Sequence, residues 1–330
     1  MKSFTTSLAR CTYLLERGQP VSDVLWYLGD ELDHKPLQDA PFPEGYHYDY
    51  CNTDVLLNRL SVHDGWIVTP EGIRYRLLWL KDSPRLLTET LEKLKTMLEQ
   101  GATIVGDPPR GMATLTGGKK AAERYKKLVS HLWGTDHRPG VRNIGKGHLI
   151  SGVSLEAALL QSGVEPDVQG NGLLWTHRRA GDADWYFVTS SSEEGYSGMP
   201  VFRAAGTVEI WDPVTGEMAL AQRVREEKGF TGVPLELPPS GACFILFRQG
   251  EKPGGPTGSG STATRVVREM AIEGPWTLSF PSGWDAPASL PLKELKPWTT
   301  LDLPPAAKSF SGTAVYSAAF TLPASLLWTT

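Results

Sequence analysis

The sequence predicts a multidomain protein: a doubly wound, mostly parallel α/β sheet followed by antiparallel β-sandwich modules. Three observations predict it. Helix and strand signals alternate over the first half of the chain, as crossover-connected parallel strands require. Near residue 165 the pattern changes to short β runs separated by turn residues. A chain of 330 residues also exceeds what one hydrophobic core serves.

The elements follow in order. Phe4, Leu8, Cys11, Leu14 and Leu15 recur at helical spacing, and Gly18 stops that helix. Val21–Leu28 is apolar and β-rich and ends at Gly29, as a buried parallel strand would. The acidic cluster Asp30-Glu31 with Asp33 comes at its exit. Thr53, as N-cap, starts a helix through Leu60. Thr69-Pro70-Glu71-Gly72 turns a hairpin within Gly65–Leu80, which ends in the apolar strand Tyr75–Leu80. Leu87–Gln100 and Ala121–Trp133 are amphipathic helices followed by Gly101 and Gly134. Ala102–Val105 and Gly147–Ile150 are buried strands, and Ser154 caps a helix through Ser162. Beyond it, runs from Leu173–Arg178 to Ala242–Arg248 form the antiparallel module. The boundaries are 1–164 for a flavodoxin- or amidotransferase-like α/β domain, 165–250 for the sandwich, 251–271 for a Gly- and Ser-rich linker, and 272–330 for the start of a second sandwich. That last module stops on the apolar run Leu326–Thr330.

Composition excludes several function classes. A net charge of −4 with no basic run gives no footprint for nucleic acid. No stretch approaches the ~18 apolar residues of a membrane span. The first residues carry Arg10, Glu16 and Arg17 where a signal peptide needs an apolar core, so no signal peptide is read in this chain. Cys11, Cys51 and Cys243 are far apart and form no CxxC pair, and the histidines lack metal-ligand spacing; no cofactor is expected in this chain. Eleven Trp serve as sandwich anchors or as stacking platforms for sugar rings.

The residues with chemistry to offer cluster after the first strand. Glu44, Asp49 and Asp54 lie in a loop among Tyr46, Tyr48 and Tyr50, and carboxylates between aromatics suit sugar hydroxyls and ring faces. Glu44, Tyr46, Asp49 and Asp54 are therefore the candidate substrate-binding residues; the competing reading is a solvated acidic loop with Asp54 serving its helix. His177-Arg178-Arg179 reads as surface or interdomain pairing. There is no GxSxG. Gly106–Gly111 lacks both the GK[ST] and the GxGxxG order, and Thr116-Gly117-Gly118-Lys119-Lys120 reads as a turn. An amidotransferase- or flavodoxin-like enzyme would need a nucleophile or phosphate loop that these residues do not provide.

Several segments, in this order, resemble one family. They are Ser7–Leu15 with Gly18, Asp23–Asp30, Pro43-Glu44-Gly45-Tyr46 with Asp49, Asn52 and Asp54, Thr69–Gly72, Gly101–Gly106, His177–Arg179 with Asp182-Ala183-Asp184, Trp211-Asp212-Pro213, and Phe310–Tyr316. Together they resemble glycoside hydrolase family 106, the α-L-rhamnosidases. The resemblance implies an accessory α/β domain, sandwich modules of sugar-binding type, and a rhamnose-containing glycan of plant or pectic origin as partner. It also implies inverting hydrolysis of terminal α-L-rhamnosyl units, assisted by calcium in the family. The family's two glutamates sit in a barrel preceding the matched region, so neither carries over to a residue here. A C-terminal portion without the catalytic barrel is expected, inactive alone, from a truncated or partial sequence rather than a separate subunit. The alternative is a non-catalytic carbohydrate-binding or scaffolding protein. Periplasmic or extracellular export of the parent, and the oligomeric state, stay open.

Overall fold

The computed structural model describes residues 2–31, 42–81, 83, 85–222, 224–250, 270–283 and 285–323. Asp33, most of the expected linker and the terminal Leu326–Thr330 run lie outside the described residues. The chain divides into two compact units, Met1–Ala263 and Thr264–Thr330.

The first unit opens with α1 (Lys2–Leu15) and then builds a six-stranded sheet. Its strands are β1 (Val24–Tyr27), β2 (Tyr48–Cys51), β3 (Leu77–Trp79), β4 (Thr103–Val105), β5 (Gly140–Ile144) and β6 (Gly147–Ser151). Across the sheet the order is β5-β6-β4-β3-β1-β2, parallel throughout except for β5, which pairs antiparallel with β6. The parallel strands thus run second, first, third, fourth, fifth, and the winding reverses between β1 and β3.

Strand periodicity divides the apolar residues between two faces. Leu25, Tyr27, Leu78, Ile104 and Leu149 join one core, and Val24, Trp26, Leu77, Trp79, Val105 and Ile150 the other. Helices α2 (Thr53–Asn58), α3 (Thr88–Gln100) and α4 (Gly118–Trp133) cover the first face. Leu91, Leu94, Met97 and Leu98 of α3 recur at helical spacing and are at most 1% exposed. Helix α5 (Leu155–Gln161) covers the second face with Leu155, Ala158 and Leu159. At the start of α2 the cap is Asn52, whose side chain accepts the Val55 N–H at 3.0 Å, and not Thr53. The Thr53 hydroxyl is engaged elsewhere, by Asp30.

A second, wholly antiparallel sheet contains Gln19–Pro20, β7 (Leu173–Ala180), β8 (Ala183–Ser190), β9 (Thr207–Trp211), β10 (Met218–Leu220) and β11 (Ala242–Arg248). Its order is Gln19–Pro20, β7, β8, β11, β9, β10. Tyr186, Val188, Cys243, Ile245 and Phe247 face one core, shared with Phe202, Val233 and Leu235 from the small sheets beside it. The alternate residues Trp185, Phe244 and Leu246 face the other way and are covered by Cys11, Leu14 and Leu15 of α1. Helix α1 and Gln19–Pro20 pack on the antiparallel sheet, because Trp185 donates to the Leu14 carbonyl at 3.1 Å and Arg178 to those of Arg17 and Gly18. Gly18 permits the approach: at φ +63° an added Cβ would lie 2.4 Å from the Arg179 carbonyl oxygen.

In the second unit, Trp276–Ser279 lies between Ser289–Leu292 and Val315–Ala318 in a three-stranded antiparallel sheet. Leu278, Phe280, Ala307 and Phe310 form its core.

Candidate functional site

The four sequence-predicted residues do not converge. The expected acidic and aromatic loop contains strand β2, so Tyr48 and Tyr50 turn to Trp26 while Asp49 and Cys51 turn to the opposite face. Asp49 accepts the Tyr75 hydroxyl at 3.0 Å. Tyr46 is buried and donates to the Val164 carbonyl at 2.8 Å. Asp54 is exposed in the first turn of α2, accepting Asn58 Nδ2 at 2.9 Å. Glu44 is exposed.

At the exit of β1, Asp30 is a hub. Its Oδ1 accepts the hydroxyls of Tyr27 at 2.5 Å, Thr53 at 2.9 Å and Thr90 at 3.0 Å, and its Oδ2 accepts the Leu87 N–H at 2.8 Å. Leu87 is the N-cap position of α3 and has no side-chain cap of its own, so Asp30 satisfies one of the free amides there. Burial first, and then the Asp30 carboxylate, raise the Tyr27 phenol far above its ordinary value.

The strongest concentration of charge lies where the two sheets meet. Asp23 precedes β1 and is 3% exposed; Asp167 is 1% exposed and His177, on β7, 1%. His177 Nδ1 lies 2.7 Å from Asp167 Oδ2, and Nε2 lies 2.8 Å from Asp184 Oδ1. With a carboxylate on each nitrogen both must donate, so the ring is an imidazolium. Tyr186 donates to Asp167 at 2.8 Å and stacks on the imidazole at 4.0 Å between centroids. Arg203 reaches across, donating to both Asp23 oxygens at 2.8 and 2.9 Å, with its Nε 3.6 Å from Asp167. Arg179 donates to Asp184 at 2.6 Å. The backbone joins the same seam: Asp167 N–H donates to the Gly45 carbonyl at 2.7 Å. Gly45 sits at φ +81°, and a Cβ there would meet the Val168 carbonyl oxygen at 2.4 Å.

Burial alone would lower the His177 pKa, but Asp167 and Asp184 raise it above the ordinary value. Burial works against Asp167 and Asp184 too, yet His177 and the arginines hold both below the usual carboxylate range. Asp23 goes the other way, pushed up by burial against the pull of Arg203. The network resembles an acid–base site, but its ring nitrogens are fully engaged and shut away from substrate. Its chemical capacity is to lock two sheets in one arrangement. The sequence marks His177–Arg179 for surface or interdomain pairing but not Asp167 or Arg203, and Asp23 only as the first residue of the Asp23–Asp30 segment.

Glycoside hydrolysis needs two carboxyl groups facing one scissile bond. A cavity of about 390 Å³ between α1 and the turn at residues 212–216 has Asp212 and Glu217 on its wall. Asp212 Oδ1 already accepts the N–H groups of Val214 and Thr215, and Arg10 clamps the carbonyls of Pro213 and Val214. That makes a pinned turn rather than a catalytic pair. Among the described residues there is no group of three or more His, Cys, Asp or Glu side chains that could hold a metal ion. Also among them, no helix is long and apolar enough to cross a membrane.

Residues 1–223 match the family of α-L-rhamnosidases numbered 106 among glycoside hydrolases. The chain belongs to glycoside hydrolase family 106. A solved rhamnosidase from Novosphingobium sp. PP1Y superposes on this family member with a TM-score of 0.80 at 30% identity, over 95% of this chain and 30% of that one. A curated protein from Formosa agariphila, named as a β-glucuronidase candidate, is 29% identical over 257 residues, which is 76% of this chain and 21% of its own length. This member of family 106 thus spans under a third of either relative.

Proposed function

We propose that these residues are a non-catalytic part of an enzyme that hydrolyses terminal α-L-rhamnosyl units from plant or pectic glycans. The observation that carries this reading is the superposition of 95% of the chain on 30% of a rhamnosidase, at a TM-score of 0.80. Within it, residues 1–164 are read as a doubly wound accessory domain and 165–250 as a β-sandwich. Residues 272–330 are read as a second, sugar-binding-type sandwich module. The seam network supports a mechanical role, since Asp23, Asp167, His177, Asp184 and Arg203 hold the two sheets of the first unit in register. Glu44, Tyr46, Asp49 and Asp54 stay as candidate sugar contacts only in so far as exposed Glu44 and Asp54 can meet a glycan edge.

The test compares residues 1–330 with a polypeptide that also contains the family's barrel, on an aryl α-L-rhamnoside and an aryl β-D-glucuronide. The expected result is release from the rhamnoside by the longer protein and none by residues 1–330. Turnover by residues 1–330 would overturn the non-catalytic assignment. Cleavage of the glucuronide alone would replace the substrate, a second reading favoured by the name of the Formosa relative. Saturable glycan binding by 1–330, with no hydrolysis by the longer protein, would favour the carbohydrate-binding or scaffolding alternative.

A further inference from the structure

A groove of about 700 Å³ runs between α4 and residues 109–115, the segment that leads toward the helix from β4. Small-molecule sites have this volume and are largely apolar, with a few charged groups that orient the ligand. Three features of the wall say what chemistry would fill it.

The first is an apolar floor left open to one side. Met112, Tyr125 and Val129 line it, the last two buried and in contact with the core beneath. Tyr125 makes no polar demand on an occupant, because its hydroxyl donates to the Gly111 carbonyl at 2.5 Å. Leu115 stands on the same wall and is 99% exposed. An apolar body lying in the groove would take that side chain out of water together with its own surface.

The second is that both walls are fixed. Gly111–Met112 pairs parallel with Arg85–Leu86, and the Ala113 N–H donates to the Leu86 carbonyl at 3.1 Å. The Tyr125 hydrogen bond then ties α4 to the same segment. The groove is therefore held open by bonds of the fold itself and stands organised before a ligand arrives.

The third is the charge. The described wall carries Arg110, Lys119, Lys126 and His137 and no Asp or Glu. Arg110 has Asp107 three residues before it and is left out of the balance. Lys119 and Lys126 are exposed, and neither is in an ion pair among the described residues. Glu123 is the one acidic residue of α4 and pairs with neither of them, while Glu92, from α3, is taken by Arg124. Both lysines share the groove face of α4 with Ala122 and Val129, so uncompensated positive charge borders the apolar floor.

We propose that this groove binds an amphipathic organic anion, an aromatic acid whose rings cover Met112, Leu115 and Tyr125 and whose carboxylate faces Lys119 and Lys126. The probes are biphenyl-4-carboxylate, biphenyl-4-methanol, which keeps the rings without the charge, and acetate, which keeps the charge without the rings. The measurement is calorimetric or ligand-observed NMR titration of residues 1–330. Saturable binding of the biphenyl acid is expected, at least about tenfold tighter than the alcohol, the size of one charge-assisted contact, with none for acetate. Lys119→Gln and Lys126→Gln should each weaken the acid about three- to tenfold, and the double variant should bind acid and alcohol alike. Leu115→Ser should weaken both ring compounds about threefold. All three side chains are exposed, so the melting temperatures of the free variants should match that of the wild-type chain.

Equal affinity for acid and alcohol would overturn the proposal, as would a preference for the acid that survives the double substitution. Affinity untouched by Leu115→Ser would place the rings elsewhere and overturn it too, and so would the absence of saturable binding. Binding by residues 1–330 that is lost in a longer protein containing the barrel would show the groove to be covered by another part of that protein, which also overturns the ligand assignment. Hydrolase activity enters none of these readouts, so the outcome is separate from the rhamnosidase reading.

Discussion

Asp30 collects four neutral donors from β1, α2 and the start of α3, whereas Asp167 is held between an imidazolium, a guanidinium and a phenol. The first arrangement fixes the starts of two helices against one strand, with Asp30 and Thr90 60 residues apart. The second ties Asp23 to residues 167–203, so it fixes two sheets against each other. A carboxylate satisfied by neutral donors can lose one of them and keep its hydration deficit small. One satisfied by charge cannot, because the remaining ion stays buried and uncompensated. The comparison therefore predicts different penalties for superficially similar substitutions.

The largest effect is expected at Arg203. Arg203→Met leaves Asp23 and Asp167 without their shared cation and should cost about 3–5 kcal/mol, measured by urea denaturation of the first unit. A loss under about 1 kcal/mol would mean that the seam charges are hydrated, and the contrast with Asp30 would collapse. Asp30→Ala comes next, at about 2–3 kcal/mol, because the Leu87 N–H and three hydroxyls lose one acceptor. Hydrogen exchange should show fraying confined to the first turn of α3. Equal loosening of both sheets would blur the distinction.

Smaller than either is the pH dependence of the seam. His177 is raised, so its contribution is complete below the unfolded value of about 6.5 and fades as pH climbs through the higher folded value. Asp167 and Asp184 are lowered, so theirs is complete above about 3.9 and fades as pH falls through the lower folded values. Thermal melts of the wild-type chain should decline on the alkaline side, and His177→Gln should flatten that limb. An alkaline limb that survives the substitution would assign it to another group. The smallest effects belong to Glu44→Ala and Asp54→Ala, each within about 0.5 kcal/mol because both side chains are exposed. A glycan titration that is also unchanged would remove them as sugar contacts.

Helices α1 to α5 and most parallel strands could be read in advance, because each is long or apolar enough to show its own period. Leu91, Leu94, Met97 and Leu98 announce α3 unaided. Two strands of the first sheet were not legible. Gly140–Ile144 carries Arg142 and Asn143 and has no apolar run to mark it, yet it closes the sheet edge antiparallel to β6. Tyr48–Cys51 looks like a loop rich in aromatics and acid, and only its pairing with β1 shows that Asp49 and the tyrosines face opposite ways. The same pairing turns Asp49 to the Tyr75 hydroxyl, and Tyr46, just before the strand, donates to the Val164 carbonyl. The seam was half legible. His177-Arg178-Arg179 reads as surface or interdomain pairing, and His177 is in fact buried, but Asp23, Asp167 and Arg203 are ordinary residues until the fold brings them together.

By itself the sequence determined the order of helices and strands, the change to short antiparallel strands near residue 165, and the membership in family 106, because local periodicity and motif order survive without neighbours. Tertiary structure alone decided which sheet α1 covers and which carboxylates are matched. Those outcomes depend on distances between residues far apart along the chain, and hydrogen-bond capacity is used or left open only once the backbone has closed.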